Sequence, residues 1–133
     1  NVTGNVTGTV SGGITSGATA AELALSSDVS AYSETLAAAG AITFSTTCRV
    51  HNLNTTAGAQ TNTIPVPAAN QIGQLKVITL GTDGGNDCVI TLTNVNGGSN
   101  TSTCTFNDAG DTLILVGGVS KWHVVKEIGV TMA

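Results

Sequence analysis

Few residues of this chain could do chemistry, and their spacing decides what chemistry that would be. Both histidines, His51 and His123, fall within predicted strands. Neither belongs to a His-x-x-x-His or Glu-x-x-His pairing, and no serine elbow is present. Such spacing supplies neither the paired ligands of a metal site nor a nucleophile beside its base. Cys48, Cys88 and Cys104 are odd in number, which excludes a complete disulfide framework, and none has metal-type spacing. They read as small buried strand residues, and three free thiols per chain are expected. Two acidic turns offer oxygen ligands, Thr82–Asp87 and the set Asn107, Asp108 and Asp111. The first has the glycines of a calcium loop but lacks its closing bidentate Glu. Both are read as hairpin turns whose Asp and Asn side chains bond their own backbone. The glycine pairs 84-85, 97-98 and 117-118 open no helix, so they form no phosphate loop. The expectation is a protein without catalytic residues, cofactor or metal.

The elements that would position these residues are strands. Thr103–Met132 reads as strands joined by tight turns: Thr103–Asn107, a turn at Asp108–Asp111, the apolar run Thr112–Val116, a turn at Gly117-Gly118, then Val119–Lys126 and Ile128–Met132. The run Thr112–Val116 is short and apolar enough to be buried on both faces. In Trp122–Lys126, alternation puts Trp122 and Val124 on one face, His123 and Val125 on the other. Upstream, Gly73–Gly81 sets Leu75, Val77 and Thr79 against Lys76, Ile78 and Leu80, and Asp87–Thr93 follows. Ile42–Thr46 and Cys48–Leu53 read as one bent strand, Asn54–Asn62 as a polar loop. Thr63–Val66 reads as an edge strand because it contains Pro65. Twenty-two Thr, 17 Gly and 11 Asn fit short strands and tight turns. The predicted fold is all-β, a compact antiparallel β-sandwich or jelly-roll-like domain over 42–133 with an extended N-terminal arm.

Only 9% of the 133 residues are charged, against about 25% in ordinary soluble domains. Four basic residues, Arg49, Lys76, Lys121 and Lys126, are scattered through a chain of net charge −4. Without a basic cluster to neutralise phosphates, nucleic acid is not expected as a partner. No apolar run approaches the ~20 residues of a membrane-spanning helix, and no membrane partner is expected. So little charge leaves strand edges unprotected, which predicts burial against copies of the chain or a partner. The chain begins at Asn1 rather than Met, which reads as processing or as a longer parent.

Residues 1–17 are of low complexity: Asn-Val-Thr-Gly occurs twice in tandem and Thr-Val-Ser-Gly echoes it. Each unit holds one apolar residue and one Gly, too little to bury a face alone. The spacing of four sets Val2, Val6 and Val10, continued by Ile14, on one side of an extended chain. These four are the candidate partner-binding residues, added as a strand to a neighbour's open edge. The Asn-x-Thr/Ser matches at Asn1, Asn5, Asn54 and Asn100 are those a Thr- and Asn-rich chain produces by chance. Residues 18–41 are Ala-rich and read as a linker with short helical turns, capped by Thr19 and by Ser27 or Asp28.

Two stretches carry a family resemblance. Ala18–Ala41, with Ala-Thr-Ala-Ala-Glu-Leu, Asp-Val-Ser and Ala-Ala-Gly-Ala, resembles a segment near the start of small tailed-phage virion proteins. Asn107–Ala133, with Asp-Ala-Gly-Asp, Lys-Trp-His-Val-Val and Ile-Gly-Val-Thr, is similar to the closing strands of phage structural proteins, cyanophages among them. The Asn-Val-Thr-Gly tandem is similar to repeats in phage fibre and arm segments. The resemblance implies a virion protein, often a homotrimer, assembled in the host cytoplasm, with no catalytic residues. The leading expectation is a capsid decoration (cement) protein bound to the major capsid protein on the outer shell. The alternative is a module of a trimeric tail or head fibre. A carbohydrate-binding β-sandwich stands third, because Tyr32, Phe44, Phe106 and Trp122 are the only aromatics available to stack on sugar rings.

Overall fold

Alternating burial along short Thr- and Val-rich runs builds two facing sheets. The computed structural model describes residues 33–95 and 102–133. In chain order the strands are β1 (Ser33–Leu36), β2 (Gly40–Ala41), β3 (Val50–Asn54), β4 (Gln60–Ile64), β5 (Leu75–Thr82), β6 (Cys88–Leu92), β7 (Ser102–Phe106), β8 (Thr112–Gly117), β9 (Trp122–Ile128) and β10 (Thr131–Met132). One sheet runs β1-β3-β5-β8-β9 and the other β2-β4-β6-β7-β10. The domain is an all-β sandwich. Between the sheets lie Leu53, Ile78, Leu80, Leu113, Leu115 and Trp122 from the first, facing Ile64, Ile90, Leu92, Cys104 and Phe106 from the second. Each such side chain contributes roughly 1.5–3 kcal/mol by leaving water.

The expectation of an antiparallel sandwich holds for half of it. β1, β3 and β5 are mutually parallel, and so are β2, β4 and β6. From β1 to β6 the chain alternates between the sheets, so each strand pair forms one coil stacked on the last. From β7 onward every pairing is antiparallel: β6 with β7, β5 with β8, β8 with β9, and β7 with β10. Parallel neighbours require a crossover, and here the opposite sheet supplies it. The turns at 83–87 and 107–111 therefore carry the chain from one sheet to the other instead of closing hairpins. A turn sequence specifies a reversal, and leaves open which strand the next one joins.

Several boundaries follow from this. The described part of the stretch read as helical turns, from Ser33, is extended as β1 and β2, because the parallel ladders outweigh its Ala-rich propensity. Ile42–Thr46 is irregular, with Ile42 turned into the core. β4 is an interior strand, and Pro65, which lacks an N–H, falls just past its end. β8 is buried on one face only, alternating with half-buried outer residues. Gly117 ends it where a Cβ would lie 2.2 Å from the Gln71 carbonyl oxygen, so only glycine fits.

Candidate functional site

Parallel register brings together three polar side chains that are far apart in sequence. Glu34 on β1 stands opposite His51 on β3, and His51 stands opposite Ile78 on β5, one inward position beyond Lys76. Glu34 Oε1 lies 2.5 Å from His51 Nδ1, and His51 Nε2 lies 2.6 Å from Lys76 Nζ. An ammonium has only donors, so Nε2 accepts from Lys76 and Nδ1–H donates to Glu34. Glu34 Oε1 also accepts from the Ser45 amide at 2.8 Å. The result is a carboxylate–imidazole–ammonium chain across three strands, with His51 fully buried and Lys76 4% exposed.

Aromatic rings close over the chain. Phe44 stacks on His51 with centroids 4.5 Å apart, and Lys76 Nζ lies 5.9 Å from the centroids of both Phe44 and Trp122. A cation in that position is attracted to both ring faces. Trp122 is itself held by an Nε1–H donated to the Pro65 carbonyl at 2.8 Å. Burial lowers the His51 pKa to about 4, helped by the Lys76 charge and opposed by hydrogen bonding to Glu34 and by its charge. Burial also lowers the Lys76 pKa, against the attraction of Glu34. At neutral pH the imidazole is therefore neutral, which its role as acceptor from Lys76 requires.

Lys76 borders a cleft of about 290 Å³, lined also by Ile42, Phe44, Asn62, Ile64 and Gln71. The order carboxylate, imidazole, third polar group is that of a hydrolase triad, but the third group is an amine. While protonated it has no lone pair to attack with. What the arrangement does physically is tie β1, β3 and β5 together through buried hydrogen bonds. A second polar tie sits in the other sheet. Gln60, 1% exposed, donates from Nε2 to the carbonyls of Leu36, Ala38 and Asn54 at 2.9, 2.9 and 3.1 Å.

The outward faces differ in chemistry. On the first sheet Val50, Val77 and Ile114 share one row, and Leu75 and Val116 the next. Val50 is 38% and Leu75 52% exposed, giving an apolar patch ended by Lys126. On the second sheet Thr61, Val89, Thr105 and Thr131 form one row, and Thr63, Thr91 and Thr103 another.

The residues singled out by sequence fare differently. Asp111 Oδ2 accepts from the Asn107 and Asp108 amides, and Asp83 Oδ1 from the Gly85 amide, the self-bonded turns expected. Among the described residues no group of three or more His, Cys, Asp or Glu is placed to hold a metal ion. Cys88 and Cys104 are buried on adjacent strands, but Cys88 stands opposite Phe106 and Cys104 opposite Ile90, two residues out of step. Burial raises their thiol pKa values to about 12 and about 11. His123 faces outward and Trp122 inward, as alternation predicts. Val2, Val6, Val10 and Ile14 lie outside the described residues, as does the linker up to residue 32. The Glu34–His51–Lys76 chain was missed from sequence, although His51 and Lys76 on otherwise apolar strand faces were its visible trace. No protein-family model matches the sequence, and no curated protein matches it as a relative.

Proposed function

We propose that this chain is a structural protein of a bacteriophage virion, serving as a module of a trimeric fibre or spike. The observation that carries this reading is the stack of parallel coils, which, among the described residues, antiparallel strands finish on one side only. A coil stack adds length by repetition, each coil contacting only its neighbours. The Asn-Val-Thr-Gly repeats come before β1 in the sequence, as a shaft would. Val2, Val6, Val10 and Ile14 then supply one apolar side of an extended segment that pairs with neighbouring chains of a homotrimer. Capsid decoration, with the major capsid protein as partner, is the second reading. It is favoured by the apolar patch around Val50, Leu75 and Ile114, which suits docking on a shell. Gold-labelled antibody against the domain, imaged on virions, tests the choice. Gold on fibres is the expected result. Gold spread over the shell would move the protein to decoration, and unlabelled virions would remove both readings.

A further inference from the structure

We propose that the cleft beside Lys76 is a binding site for a small monocarboxylate with a short apolar tail, its carboxylate paired with the Lys76 ammonium. The cleft forms where residues 42–46, leaving β2, pass the end of β4 and Lys76 of β5. Its volume is about 290 Å³. A water molecule's share of liquid volume is roughly 30 Å³, so the cleft has room for much more than one bridging water. Ile42, Phe44, Ile64 and Pro65 make an apolar wall, and Thr46 and Gln71 add polar groups. An apolar hollow with a few placed polar groups is the usual form of a small-molecule site.

The charged tip of Lys76 selects the ligand. Lys76 is 4% exposed, yet its Nζ lies 5.9 Å from the centroid of Phe44, a wall of the cleft. An ammonium carries three N–H donors. Among the described residues one of them has an acceptor, His51 Nε2 at 2.6 Å, and the others have only the faces of Phe44 and Trp122 nearby. A buried donor without an acceptor is costly, the more so on a charged group. Burial accordingly holds the Lys76 pKa below its ordinary value. Glu34 does not fill the gap, since its Oε1 is engaged with His51 Nδ1 and the Ser45 amide on the far side of the ring. An oxygen in the cleft would fill it, and a charged oxygen forms the stronger bond. Lys76 is the one charged residue among those lining the cleft, so a single negative charge matches it. A phosphate dianion would be left half neutralised among apolar walls. Gln71 supplies a second donor at the cleft: its Oε1 accepts from the Ala68 amide at 2.9 Å, which leaves its Nε2–H groups for the ligand's other oxygen. The tail then lies against Ile42, Phe44 and Ile64. The inference stands apart from the virion reading and holds or fails without it.

The test is a nuclear magnetic resonance titration of the full chain with hexanoate and with hexanamide, its uncharged analogue. The expected result is saturable shifts at the backbone amides of Phe44, Asn62, Ile64 and Gln71 with hexanoate, and an affinity for hexanamide weaker by roughly tenfold or more. Lys76→Met should remove that preference. Shifts that do not saturate, or comparable affinity for the two ligands, would overturn the proposal. Shifts centred on the outward residues Val50, Leu75 and Ile114 would also overturn it, by assigning hexanoate to the apolar patch. A folded Lys76→Met that still prefers hexanoate would place the charge recognition elsewhere and overturn it too. Should Lys76→Met unfold the domain, the comparison of the two ligands on the unaltered chain decides by itself.

Discussion

The parallel half of the sandwich, β1 to β6, and the antiparallel half, β7 to β10, solve the register problem by different means. In the antiparallel half, the β8–β9 register is set locally, where the Gly118 amide donates to the Lys121 carbonyl in the turn that joins the two strands. In the parallel half no turn can do this, because each strand's partner lies one whole coil away. Buried polar contacts do it instead. Glu34, His51 and Lys76 can meet only in one register, since a slip by one residue turns every side chain to the opposite face. The difference teaches that buried polar groups here specify alignment more than they add stability, a role such groups have in other folds.

Four perturbations sharpen that contrast. The largest effect should come from pH. The folded-state pKa of His51 is about 4, below the ordinary value of 6.5, so between those values the unfolded chain binds more protons. The stability contributed by neutral His51 is full above pH 6.5 and falls as pH drops through that window. Its loss is complete below pH 4 and is on the order of 3 kcal/mol. Denaturant melts of the unaltered chain and of His51→Gln should diverge across this window. Parallel curves would remove the imidazole from the account. Next in size is Glu34→Ala, which strips the acceptor from His51 and the Ser45 amide. Hydrogen bonds to a charged group contribute about 1.5–3 kcal/mol, and Glu34 is 21% exposed, so about 2 kcal/mol is expected. Amide exchange should locate that loss at β1.

Gln60→Met should cost about 1 kcal/mol, since three carbonyls lose their donor while a buried oxygen without a partner, Gln60 Oε1, is also removed. A loss as large as that of Glu34→Ala would show that the second sheet carries the greater share of register. The smallest effect belongs to the antiparallel side. Thr112→Val deletes the hydroxyl bonds to Thr79 and to the Gly110 carbonyl on a half-buried face, and should change stability by under about 0.5 kcal/mol. A loss above 1 kcal/mol there would erase the distinction between the halves.

What was legible in the sequence follows the same division. The strands around Leu75–Leu80, Val89–Thr91 and Leu113–Val116 show as alternation or apolar runs, and the turn at Asp108–Asp111 shows as Asp and Gly, because those signals are local. The inward set Lys76, Ile78 and Leu80 was also visible from alternation alone. Parallel pairing was not, since nothing within Ser33–Leu36 indicates that its partner begins at Val50. For the same reason the Ala-rich composition near β1 and β2 suggested helical turns, where ladder contacts with β3 and β4 impose strands. The polar chain could not be assembled before that register was known, although a histidine and a lysine on apolar strand faces marked its members.

Nuclear magnetic resonance of the His51 ring tests most directly the claim that β1, β3 and β5 are held in register by this chain of polar groups. Nitrogen shifts report both the tautomer and the titration of the ring. The expected result is a neutral imidazole at pH 7 with the proton on Nδ1, taking up its second proton only near pH 4. A ring that titrates near 6.5, or that carries its neutral proton on Nε2, would mean that Glu34 and Lys76 do not flank it. The parallel register would then be wrong.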